Sequence, residues 1–248
     1  MLTLILALLH GRWFNINIQY RLPLILITKY KWPKLNKPAK AILPVIGVFI
    51  NKEGETYIRV NTIMEYTGYK KKTEIIAGIK SLLDLGIITR HKQKKYKNYI
   101  YKLSDVAKWK RGRSYFPIDK NEMILNYRWA ELSSIEKSLY VVLGTKSIIN
   151  SPDKPDDYYG IGTARPVEKY CKWAGINKPS FYKAFRGLVN KELIIDSEFI
   201  EDDILDYTIR TPGIFVDNNK KKHFIKKHKT EETKSKYDHL IREYRNDI

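Results

Sequence analysis

Lys70, Lys71 and Lys72 stand in a row where an apolar helical repeat begins, and ammonium groups bind phosphate as point charges. A second cluster follows at Arg90, Lys92, Lys94, Lys95 and Lys97, with Tyr96 among them. A third, Lys108, Lys110, Arg111 and Arg113, comes shortly after. Crowding like charges opposes folding. Counterion release from a phosphate backbone offsets that cost. The whole chain leans the same way, with 46 Lys and Arg against 27 Asp and Glu, a net charge of +19 over 248 residues. Such an excess attracts polyanions, whether nucleic acid or anionic membrane.

Catalytic chemistry finds little support. One cysteine, Cys171, excludes an internal disulfide and a zinc site of several thiolates. It lies beside Tyr170 and Trp173 and reads as a buried structural residue. The five histidines show neither an HExxH pattern nor a His-x-His pair. The Gly-Ile-Gly at 160–162 lacks the rest of a dinucleotide or phosphate-loop fingerprint. Asp153, Asp156 and Asp157 beside Lys154 have loop-like spacing, weak grounds for a metal nuclease. The expectation is a protein with no catalytic residue, no metal and no cofactor, and not an enzyme. Met1 to Leu9 are apolar but too short to span a bilayer. They also lack the basic start and cleavage site of a secretory signal. Residues 1–20 are compatible with a start codon assigned too early. A cytoplasmic protein without membrane contact is expected.

The elements that would position the lysines become legible from Pro38. Residues 38–50 place Ile42, Val45, Ile46 and Phe49 at helical spacing, with Pro38 suited to the first turn and Pro44 expected to kink the helix or shift its start. Residues 51–55 form a turn cluster and 56–60 alternate as a short strand. Asn61 is placed to cap a helix that Gly68 ends. A longer helix spans 70–85, with Ile75, Ile79 and Leu82 inward and Ile76 and Leu83 widening the stripe. Gly86 stops it. Strands at 87–92 and 98–103 make a hairpin.

The same order returns. Ser133 or Ser134 caps a helix to 149 with Ile135, Leu139, Val142 and Leu143 on its apolar face. After a Pro- and Asp-rich loop come a short helix from Pro166 to Trp173 and a turn at Gly175. A helix over 178–192 follows, anchored by Phe181, Ala184, Phe185 and Leu188, then a hairpin of 193–199 and 204–210. Gly68 matches Gly175, and residues 82–88 match 188–194. The organisation expected is an extension (1–37), a first unit (38–103), a basic linker (104–116), a second unit (117–211) and a charged tail (212–248). The linker also reads as a strand leading into the second unit. A tail helix from Thr230 to Tyr244 would put Tyr237, Leu240, Ile241 and Tyr244 on one face.

In the first unit the outward face of the long helix carries Lys71, Lys72, Glu74, Ala77, Lys80 and Ser81. Lys70 to Lys72 oppose the helix dipole, which suits an anion bound among them. The expected nucleic-acid contacts are Lys70, Lys71, Lys72, Thr73 and Lys80 on this helix, Arg90, Lys92, Lys94, Lys95 and Lys97 on the hairpin, and Lys110, Arg111 and Arg113 in the linker. In the second unit the corresponding face would carry Asn177, Lys178, Ser180, Tyr182, Lys183, Arg186 and Asn190, a set able to read base edges. Its hairpin holds Asp196, Glu198, Glu201, Asp202, Asp203 and Asp206, and phosphate should repel it.

The stretch NTIMEYTGYKKKTEIIAGIKSLLDLGIITR (61–90) resembles the winged helix-turn-helix superfamily. The fold expected is helix-rich α+β, with two tandem winged-helix units over 38–103 and 116–211. The paired layout is similar to plasmid and phage replication initiators. That resemblance implies double-stranded DNA as partner, a homodimer through one unit, and contact with the replication machinery. The acidic second hairpin departs from it. A transcriptional regulator and a protein-interaction scaffold are the alternatives, since fold does not fix function.

Overall fold

A computed structural model describes residues 19–29, 31–92, 99–108, 110, 115–149, 159–162, 164–200 and 203–210. Lys94, Lys95, Lys97, Arg111, Arg113, the Asp153, Asp156 and Asp157 loop and the whole tail lie outside these residues. The structure is mixed α and β, richer in helix than in strand, with small antiparallel sheets. From Gln19 onward, the segment read as an extension belongs to the fold. It forms strand β1 (Gln19–Pro23) and the short helices α1 (Ile25–Thr28) and α2 (Lys31–Lys34). The apolar run 22–27 is thus split between the end of β1 and α1. Trp32 is fully buried and its indole N–H donates to Ser138 Oγ at 3.3 Å.

Helix α3 (Lys37–Val48) starts at Asn36, whose Oδ1 accepts from the Ala39 N–H at 2.9 Å, with proline in the first turn as expected. It continues through Pro44, and every residue from Ala39 to Val48 is buried. Such a helix is hydrophobic on all sides because neighbours surround it. Strand β2 is only Glu55–Thr56, so the expected strand to residue 60 is cut short. Helix α4 (Val60–Thr67) begins after Arg59, and Asn61 falls inside its first turn rather than at the cap. Gly68 ends it at φ 77°. A methyl there would stand 2.4 Å from the Ala130 carbonyl oxygen, so both conformation and space require glycine.

Helix α5 (Lys72–Asp84) buries Ile75, Gly78, Ile79 and Leu82. Gly78 lets it cross α3 closely, since a methyl there would meet Ile42 Cδ1 at 2.5 Å and the Ala39 nitrogen at 2.9 Å. The hairpin β3 (Ile88–Lys92) and β4 (Tyr99–Leu103) follows, and β2 joins β4 to give the order β2-β4-β3.

Strand β5 (Tyr115–Asp119) pairs antiparallel with β1, Gln19 opposite Asp119 and Pro23 opposite Tyr115. The end of the expected linker is therefore a strand. A π-helical turn (Lys120–Leu125) and α6 (Arg128–Glu131) lead to α7 (Ser134–Lys146). Ser133 and Glu136 form a reciprocal capping box at the start of α7. The helix stops short of the expected residue 149, and Ser147–Ile149 (β6) pairs with Tyr159–Gly162 (β7). Next come β8 (Arg165–Pro166), α8 (Val167–Ala174), α9 (Lys178–Asn190), β9 (Ile194–Ile200) and β10 (Ile204–Arg210). β10 pairs with β9 on one side and with β7 and β8 on the other.

The two halves correspond position by position where it matters. α4 and α8 each have 8 residues and end on a left-handed glycine, Gly68 or Gly175. α5 and α9 each have 13 residues. Both end in a Schellman motif. In α5 the Gly86 N–H donates to Leu83 and the Ile87 N–H to Leu82. In α9 Glu192 donates to Val189 and Leu193 to Leu188, all four at 2.9 Å. In each half the short strand (β2 or β8) pairs with the second hairpin strand.

Buried apolar side chains form one continuous cluster drawn from both halves and from residues 20–35. Several lysines serve this structure rather than the surface. Lys31 Nζ donates to the Leu85 carbonyl at 3.1 Å, closing the end of α5. Lys40 Nζ donates to the Ala174 carbonyl at 2.7 Å, and Ser138 Oγ donates to the same oxygen at 2.8 Å, closing α8. Lys137 Nζ donates to the Leu132 carbonyl that follows α6.

Two tests follow from this packing. Gly86 adopts φ 60° with nothing within 4 Å of an added methyl, while Glu192 holds φ 58° at the matching place. Gly86→Ala should cost about 1 kcal/mol and Glu192→Gly should gain up to about 1 kcal/mol, read from denaturant midpoints. Burial first, and then Lys37, lower the Lys40 pKa to about 8. Between pH 8 and the unfolded value the unfolded chain binds more protons, so this group makes stability rise with pH in that window. Lys40→Met should remove that rise, about 2 kcal/mol between pH 7 and 10, from the stability–pH curve.

Candidate nucleic-acid interface

The geometry of α5 decides which side chains face outward. With Ile75, Ile79 and Leu82 turned into the core, Lys72, Thr73, Ile76, Ala77 and Lys80 are exposed. Lys70 and Lys71 are exposed just before the helix. Lys71 occupies the cap position without a side-chain capping bond, and Glu74 is the one acid in the first turn. The positive end of the helix thus carries three cations, an arrangement that the dipole disfavours and an anion would relieve. Ser81, expected on the outward face, is half-buried, and its Oγ accepts from the Asn36 N–H at 3.4 Å.

The hairpin supplies the other wall. Arg90 and Lys92 are exposed on β3. The Arg90 guanidinium lies 4.6 Å from the centre of the Tyr99 ring, and Tyr99 is 40% exposed. Between the start of α4, the outer face of α5 and this hairpin runs a groove of about 450 Å³, with Arg59, Asn61, Lys72, Ile76, Arg90 and Tyr99 in its lining. Among the described residues no carboxylate forms an ion pair with Lys70, Lys71, Lys72, Lys80, Arg90 or Lys92. Lys110 is exposed but does not line the groove.

The second half treats the equivalent positions differently. Lys178 opens α9 as Lys72 opens α5, yet its Nζ sits 3.1 Å from Asp203 Oδ2 and 3.3 Å from Glu168 Oε1. Tyr182, which takes the place of Ile76, is not on an outward face as the sequence had it. It is 3% exposed, packs against Phe181 and Phe199, and donates its hydroxyl to Asp203 Oδ1 at 2.6 Å. An aromatic ring with a hydroxyl at its tip can be core and polar at once, which helical spacing does not reveal. Asp203, in the hairpin turn at φ 59°, folds the acidic hairpin back onto α9. Asn177 is exposed but spends its Oδ1 capping α9 through the Ser180 N–H at 3.0 Å. Ser180 and Arg186 are half-buried, and Lys183 is exposed.

Sequence reasoning missed Ile76, which it assigned to the core. The structure leaves it 52% exposed in the middle of the cationic face. It missed Arg59 and Tyr99 as groove residues, and took Asn61 for a cap. Cys171 is buried, and burial raises its thiol pKa to about 11, so it is not held as a thiolate.

Compared with known proteins, the sequence matches no family model and no curated protein. Among the described residues, no helix is long and apolar enough to cross a membrane.

Asp203→Ala should leave the Tyr182 hydroxyl without its acceptor and Lys178 with one acid fewer. Thermal and denaturant unfolding should register a loss of about 1 to 3 kcal/mol.

Proposed function

We propose that the protein binds duplex DNA through two tandem winged-helix units, with α5 in the major groove and the β3–β4 hairpin along the backbone. One observation carries this reading: the outer face of α5 and strand β3 gather exposed cations that form no ion pair among the described residues, while Lys178, the match of Lys72, lies between Asp203 and Glu168. Counterion release rewards the unpaired set when it meets phosphate. The order of elements supports the fold: helix, short strand, helix, glycine turn, helix, and a hairpin whose second strand takes up the short strand, twice over, with β6 and β7 added between helix and short strand in the second copy. A helix of 13 residues is about 20 Å long at 1.5 Å rise per residue, and a major groove admits it.

In this reading the first unit makes the principal DNA contacts. The second unit, whose Lys178 and Tyr182 are engaged by its own hairpin, braces the first through the shared core. The paired arrangement and the basic charge suit an origin-binding replication initiator of plasmid or phage type. Footprinting on the native replicon distinguishes repeated sites at an origin from a promoter site, which belongs to a transcriptional regulator.

Lys71→Glu combined with Lys72→Glu should lower affinity for duplexes selected from a random pool by about 100-fold or more, with the melting temperature not lowered, because both side chains are exposed and acids suit a helix N-terminus. Lys72→Ala alone should reduce the slope of log affinity against log salt by about one. Unaltered affinity in the double variant would refute the assignment of α5 to the groove.

A further inference from the structure

Ile76 is half exposed on α5, although a buried isoleucine would add stability. It belongs neither to the buried core cluster nor to the partly buried side chains packed against it. A single exposed aliphatic residue is ordinary on a protein surface. Its surroundings set this one apart. Lys72 lies one turn before it and Lys80 one turn after, both exposed, and Arg90 and Tyr99 line the same groove. Exposed Ala77 and Thr73 beside it are small, so the helix surface around Ile76 is low and a flat partner can approach closely. In the second half the matching position holds Tyr182, turned inward and bonded to Asp203. At this position the outward apolar residue is thus confined to the half whose opening lysine, Lys72, forms no ion pair among the described residues.

Resting on the duplex reading above, we infer that Ile76 recognises the 5-methyl group of a thymine in the major groove. Thymine alone among the four bases presents a methyl there. Cytosine would set its amino group, and a purine its N7 and O6 or N6, against a side chain that cannot pair with them, leaving polar atoms desolvated. The flanking lysines fix where the isoleucine lands by holding phosphates on either side. They carry no sequence information themselves. The preference therefore resides in one aliphatic side chain framed by charge.

The test uses the full chain and a duplex selected from a random pool. Each thymine is replaced in turn by deoxyuridine, which removes only the methyl. One thymine, or two adjacent ones, should show about four-fold weaker binding when the methyl is lost, the amount expected for one buried methyl-sized group. Ile76→Ala should bind the thymine and uracil forms equally at that position, with the salt dependence of wild type. Lys80→Ala should weaken both forms alike and lessen the salt dependence. Indifference to uracil at every position of a bound duplex overturns the inference, as does thymine discrimination that survives Ile76→Ala. Those outcomes leave duplex binding standing, whereas failure to select any duplex removes both proposals.

Discussion

The hydrogen bond from the Lys40 ammonium to the Ala174 carbonyl joins what the sequence presents as separate pieces. A helix end buried in protein must have its last carbonyls satisfied. Here the donors come from α3 in the first half and, through Ser138, from α7 in the second, with Trp32 of the leading segment bonded to the same serine. Burying an ammonium is costly unless it is well bonded, and Lys40 is 4% exposed. Its retention there makes the helix end, α3 and the N-terminal segment interdependent. The core is shared rather than divided, because α3 is enclosed on all sides.

Against that shared frame, the two halves show how one scaffold supports two surface chemistries. The inward positions keep the same pattern with larger rings in the second copy: Ile75 and Ile79 correspond to Phe181 and Phe185, and Leu82 to Leu188. Outward positions diverge. Lys72 remains open while Lys178 lies between two carboxylates. Exposed ion pairs add little stability, so the gain from Asp203 lies mainly in closing the hairpin over α9 and satisfying Tyr182. That closure covers Tyr182 and engages Lys178, while Lys183 stays exposed.

Much of the chain was legible because local signals were strong. Gly68 and Gly175 ended helices as their conformational freedom predicts, the pair Ser133 and Ser134 marked the start of α7, and the spacing of Ile75, Ile79 and Leu82 oriented α5 correctly. What escaped notice depended on distant partners. Strand β1 is held by β5, 92 to 100 residues further along the chain, and nothing local in Gln19–Pro23 announces that pairing. The two-residue strands β2 and β8 exist only through pairing with a hairpin strand. Ile76 and Tyr182 were misassigned for a common reason. Hydrophobicity marks a preference for burial, but the helix has only so much inward surface, and the neighbouring packing decides which borderline position receives it.

The near-contact crossing at Gly78 reaches beyond packing. With a hydrogen where other residues carry a side chain, α5 is locked against α3, and any roll or slide would drive Ile42 or Pro38 into its backbone. The outward face of α5 is therefore a rigid template rather than an adaptable one. Under the proposed function a double helix meeting it would have to supply the adjustment itself, through its own bending and groove width, so the stiffness of the bases flanking the contact would enter recognition although the protein never touches them.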